Sequence, residues 1–136
     1  MARRSPLRLK IQIMCGDEIA MGPGKAELLE AIAAQRSISA AGRAMGMSYR
    51  RAWLLVDAMN RCWQGPLVAT VPGNPKAGAQ LTALGERVRA AYRRMETAAA
   101  AGAAQDMAVL AEHLLAAPLA PRGQEEPGES DLSAAP

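Results

Sequence analysis

The chain has 136 residues, half of them hydrophobic and 21% charged, which is the length of one ordinary domain with some to spare and excludes two large catalytic domains. It has no run of about 18 apolar residues for a membrane span, and aromatics make up only 3% with no Phe, so a core has to come from Leu, Ile, Val, Met and the helix-favouring Ala. The net charge of +3 conceals an asymmetry: residues 1–95 carry 15 basic and 6 acidic side chains, net +9, and residues 96–136 carry one basic and seven acidic, net −6. A part at +9 is drawn to polyanions, because neutralising phosphates releases condensed counterions, and nucleic acid is the first partner to consider.

Leu7, Leu9, Ile11 and Ile13 alternate with Arg8, Lys10 and Gln12, the period of a half-buried strand over 7–14. The same alternation leaves no apolar core for a signal peptide. Cys15 to Gly24 reads as a turn-rich connection, with Pro23 suited to the first turn of a helix whose missing N–H needs no partner. Leu28, Leu29, Ile32 and Ala33 then recur at helical spacing through Gln35. Ser37 can cap a short helix over 38–45, and Ser48, after the break at Gly46-Met47, can cap a third helix with Ala52, Trp53, Val56 and Met59 on one face to about Cys62. Leu67 to Val71 is short and β-branched, the turn formers of 72–79 follow, and Gln80-Leu81 closes a hairpin. Thr82 opens a long helix with Leu84, Val88, Ala91, Tyr92 and Met95 at spacings of three and four; it either persists to about Ala117 or breaks near Gly102.

The domain reading is therefore three-part: 1–95 as the folded domain, 96–117 as a helical extension able to join a dimer interface, and 118–136 as a disordered acidic tail of Pro, Gly, Glu and Ser. Cys15 and Cys62 are far apart and, with the lone His113, lack the spacing of a zinc site; they read as buried free thiols in a reducing cytoplasm. One His, with no paired carboxylates, nucleophile elbow or phosphate loop, assembles no catalytic constellation, and neither a cofactor nor a metal is expected.

The element order of strand, helix, short helix, turn, helix, hairpin and long helix predicts a mainly α protein with small β, a winged helix-turn-helix followed by a long C-terminal dimerisation helix. In such a fold the start of the third helix faces base edges in the major groove. Ser48, Tyr49, Arg50 and Arg51 stand there: Arg can pair with guanine, Ser and Tyr can donate to phosphate, and the helix terminus favours an anion. The competing reading of Arg50 and Arg51 is a solvated helix face. Lys76, at the hairpin tip, is the remaining DNA-binding candidate, with a solvated loop lysine as its equal competitor. Arg87, Arg89, Arg93 and Arg94 make either a basic face or pairs with acids of a second subunit, and Trp53, Trp63 and Met59 are core anchors.

The run Gly24-Lys25-Ala26-Glu27-Leu28-Leu29, then Ser37-Ile38-Ser39-Ala40-Ala41, Met45 to Trp53, Met59-Asn60, and Leu81-Thr82-Ala83-Leu84-Gly85 with Tyr92-Arg93, resembles the N-terminal domain of ModE-type molybdate-responsive regulators over about residues 7–95. That domain is similar in turn to the DNA-binding domain of LysR-type regulators. The resemblance implies a stand-alone relative lacking the molybdate-binding domains: a homodimeric transcriptional regulator on an inverted-repeat operator in double-stranded DNA, with molybdenum-related genes as its target class. It carries the recognition segment onto Ser48, Tyr49, Arg50 and Arg51. An effector or partner protein is left open, no membrane is implied, and the alternative is a winged-helix module for protein interaction or dimerisation without specific DNA binding.

Overall fold

The computed structural model describes residues 7–70 and 78–123. Its order is β1 (Ile13–Cys15), β2 (Glu18–Met21), α1 (Pro23–Gln35), α2 (Ile38–Ala44), α3 (Tyr49–Cys62), β3 (Val68–Thr70), β4 (Ala79–Leu81), α4 (Ala83–Gly102) and α5 (Ala104–His113). Residues Arg8–Gln105 make one compact unit holding both sheets and α1 to α4, and the chain from Asp106 belongs to a second. α5 buries none of its own residues and leaves Val109 and Leu110 exposed.

The helices begin where local chemistry supplies the missing partners of a first turn. Pro23 opens α1 without a side-chain cap. The Ser37 hydroxyl accepts from Ala40 N at 3.0 Å, that of Ser48 from Arg51 N at 3.1 Å, and that of Thr82 from Gly85 N at 2.9 Å. α1 ends at Arg36, which adopts the left-handed conformation with φ 58° while its N–H returns to Ile32 O. Between α2 and α3, Gly46 takes φ 74°, a value that a side chain would disfavour, and the chain reverses there.

One apolar core joins these elements. Leu28, Leu29 and Ile32 of α1, Ile38 and Ala41 of α2, and Ala52, Val56 and Met59 of α3 meet Met21, Leu67, Val68 and Tyr92. Asn60 fastens α3 to β3: its Oδ1 accepts from Leu67 N at 2.8 Å and Val68 N at 3.1 Å, and its Nδ2 donates to Val68 O at 3.2 Å. Antiparallel β3 and β4 pair Val68 with Leu81, Ala69 with Gln80 and Thr70 with Ala79. Thr82 then holds the start of α4 on the same strand, its N–H donating to Leu67 O at 2.9 Å and its hydroxyl to Pro66 O at 2.7 Å. Gly85 lies so close to the Leu67 carbonyl that a Cβ there would overlap it. At the other end of α4's reach, the buried Tyr92 donates its hydroxyl to Ile11 O at 2.7 Å.

Several expectations are corrected. The alternating segment 7–14 is not one strand: β1 covers Ile13–Cys15, and its partner is Glu18–Met21, inside what reads from sequence as a turn connection. The pairing shifts register between Ile13 and Met14, and β2 ends at Met21 opposite Ile13, just before α1 begins at Pro23. Of the two courses left open for the long helix, the break is the one taken: α4 stops at Gly102, and α5 follows after Ala103. Residues 71–77, the hairpin tip expected to form the wing and to carry Lys76, lie outside the described residues, as do 124–136 of the expected tail. The described chain is thus five helices with two separate two-stranded antiparallel sheets, and this replaces the winged helix-turn-helix with its dimerisation helix.

Candidate functional site

The start of α3 is an exposed cationic feature that the sequence singles out. Ser48 is engaged through its cap to Arg51 N, while Tyr49, Arg50 and Arg51 face solvent. The Tyr49 ring meets Trp53 edge-on, with centroids 6.2 Å apart at 67°, and is held on the helix while half of it stays exposed. Neither Arg50 nor Arg51 is paired with a carboxylate among the described residues. Two guanidinium groups, free N–H groups of a first helical turn and a phenol on one exposed surface suit an anion.

The arginines of α4 divide differently from their expected reading. Arg93 binds both oxygens of Glu30, at 2.8 and 3.0 Å, and reaches Glu96 at 2.8 Å; Arg89 reaches Glu86 at 3.1 Å and Glu30 at 3.4 Å. These are partners within the chain, so Arg89 and Arg93 need no acids from a second subunit. Hydrogen bonding by Arg93, with Arg89 beside it, holds the Glu30 carboxyl below its ordinary value against the opposing effect of burial. The same Glu30 and Glu96 raise Arg93 further above the guanidinium range, and both charges persist at any neutral pH.

Arg87 and Arg94 border a feature with no sequence signal of its own, an open groove of about 780 Å³ between β1 and α4 whose walls include Ile13, Trp63, Leu84 and Met95. Trp63 is fixed there by its indole N–H, which donates to Ala20 O at 3.4 Å. Met59 is a core anchor as expected, whereas Trp53 is only partly buried and its indole nitrogen lacks a partner among the described residues. The two cysteines also depart from expectation: Cys15 is exposed and Cys62 half-buried. The groove could not be found from spacing, because it joins segments more than 40 residues apart.

An exposed cationic helix start of this kind does not by itself say what it meets. No family model matches the chain. Curated relatives do. The chain is 44% identical over 81 residues to the molybdenum-pterin-binding protein MopB of Rhodobacter capsulatus, covering 59% of this chain and 30% of that protein. It is 40% identical over 78 residues to the molybdenum transport protein ModE of Azotobacter vinelandii, 57% of this chain and 29% of that protein. To the molybdenum-pterin-binding protein MopA of Rhodobacter capsulatus it is 37% identical over 79 residues, 57% and 30% respectively. The chain spans about three tenths of the length of the curated relatives it matches.

These names correct the partner and the function expected above. They are names of molybdenum-pterin-binding and molybdenum transport proteins, and none of them speaks of DNA or of transcription. The reading as a stand-alone ModE-type or LysR-like DNA-binding domain, acting as a homodimer on double-stranded DNA, is therefore overturned by the relatives. The relatives are binding and transport proteins by name. No helix of the described residues is long and apolar enough to cross a membrane.

Proposed function

We propose that this chain takes part in the binding of molybdenum in an anionic form, molybdate or a molybdenum-pterin complex, in a non-catalytic role in the cytoplasm. The observation that carries this reading is the 44% identity to a molybdenum-pterin-binding protein over 81 residues. The physical support is a surface made for a compact anion. Ser48, Tyr49, Arg50 and Arg51 are proposed as its contacts, with Lys76, outside the described residues, as a further cation. An oxyanion placed at the start of α3 accepts hydrogen bonds from the two guanidinium groups and gains from the helix dipole.

The test is isothermal titration of the whole chain with molybdate, with sulfate as the control of like charge and shape. Molybdate binding that sulfate does not reproduce, lost in Arg50→Ala/Arg51→Ala, is the expected result. Absence of molybdate binding, or equal heats from the two anions, refutes the reading, and binding retained by the double variant refutes the residues.

A further inference from the structure

The groove between β1 and α4 has apolar walls and free cations. Ile13, Met21, Trp63, Leu84, Val88 and Met95 line it. Met21 is fully buried, and the other five are half-buried, packed against the core yet still open in the groove. The polar groups of these walls are already used: the Trp63 indole N–H donates to Ala20 O at 3.4 Å, and the Tyr92 hydroxyl to Ile11 O at 2.7 Å. The Glu86 carboxylate, also at the groove, is held by Arg89 at 3.1 Å. Arg87 and Arg94 remain. Seven positions apart on α4, they stand two turns from each other, about 10.5 Å along one helix face, with the exposed Ala91 between them. Neither is paired with a carboxylate among the described residues.

We propose that this groove binds a fatty acid, its chain on the apolar walls and its carboxylate over the small Ala91, between the guanidinium groups of Arg87 and Arg94. The volume of about 780 Å³ falls within the range of about 300–1,000 Å³ usual for small-molecule sites. The two halves of the site select against other ligands. A compact hydrophilic oxyanion would give up its water to walls that return no hydrogen bond. A cation is repelled by Arg87 and Arg94. A neutral hydrocarbon gains from the walls but leaves both guanidinium groups without a partner. An ionised carboxylate on an apolar chain answers both halves at once. This inference goes beyond the molybdenum reading and uses none of its residues.

The experiment is displacement of dansyl-labelled undecanoic acid from the whole chain by laurate, with dodecanol and dodecylamine as neutral and cationic analogues of the same chain length. One probe bound per chain, displaced by laurate at concentrations at least about tenfold lower than by either analogue, is expected. Laurate affinity should fall at least about tenfold in Arg87→Gln/Arg94→Gln, and as far in Ala91→Glu, which sets a carboxylate where that of the ligand would lie. All three positions are exposed, and circular dichroism checks that the variants fold. Absence of laurate binding, dodecanol binding as tight as laurate, or laurate affinity retained in either variant overturns the proposal. So does a dimer in sedimentation that excludes the probe, since a second copy would then occupy the groove. Molybdate is not involved in any of these readouts, so the two proposals fail separately.

Discussion

Gly85→Ala sets two physical effects against each other on a single methyl group. Alanine is the better helix former by about 1 kcal/mol in a helix interior, and by less in a first turn, where Gly85 stands. Against this, the new Cβ would overlap the Leu67 carbonyl, a backbone group that cannot swing away as a side-chain tip would. Leu67 is pinned from three sides: its carbonyl accepts from Thr82 N, its N–H donates to Asn60, and its side chain is fully buried. Displacing it costs about 1–3 kcal/mol in repacking and about 1 kcal/mol for each hydrogen bond lengthened. The clash wins, with a net loss of about 2 kcal/mol and a Tm lower by roughly 8–16 °C. Thermal and urea unfolding followed by circular dichroism would read this, with Gly24→Ala as the companion variant. Gly24 lies in α1 with open space where its Cβ would go, so the same substitution there is expected to stabilise by a few tenths of a kcal/mol. A Gly85→Ala protein as stable as wild type would refute the close approach of α4 to β3.

Asn60→Ala removes three hydrogen bonds and strands the N–H groups of the buried Leu67 and Val68; a loss of about 2–4 kcal/mol is expected by urea unfolding, and Asn60→Asp, which keeps the acceptor, should lose clearly less. The Glu30 carboxyl is held below its ordinary value of 4.5, so its contribution is present above that pH and fades as pH falls through the lowered value of the folded state. Stability measured at pH 7 and pH 3 should therefore fall more in wild type than in Arg93→Met, and equal losses would contradict the ion-pair account. Arg36→Gly relieves a left-handed conformation at a non-glycine residue and is expected to raise the Tm by a few degrees in a thermal scan, with a decrease counting against strain at that cap.

The helical part of this fold is legible in the sequence because its signals are local. Leu28, Leu29 and Ile32 announce α1 by spacing, and Ser37, Ser48 and Thr82 mark three helix starts that the structure places within one residue of the expected ones. β2 escaped because Gly16 and Pro23 bracket a stretch too short to show alternation, and strand pairing is decided by a partner rather than by its own residues. Arg89 and Arg93 were open to two readings because Glu30 is about 60 positions away and lies on another helix. The cationic start of α3 is legible in the sequence as a run of exposed charge, but charge attracts every anion alike. Nothing in Ser48, Tyr49, Arg50 or Arg51 distinguishes a phosphate backbone from a metal oxyanion, and it was the relatives that redirected the reading to molybdenum.

The hydrogen bond from Tyr92 to Ile11 closes a loop of 81 residues. The contacts of α1 with α2 and of α2 with α3 join neighbours in sequence and can form as soon as those segments exist. The attachment of the amino-terminal segment has to wait for the middle of α4. During synthesis on the ribosome, residues 8–12 therefore emerge long before the middle of α4, and in that interval the Ile11 carbonyl lacks the hydroxyl that finally holds it.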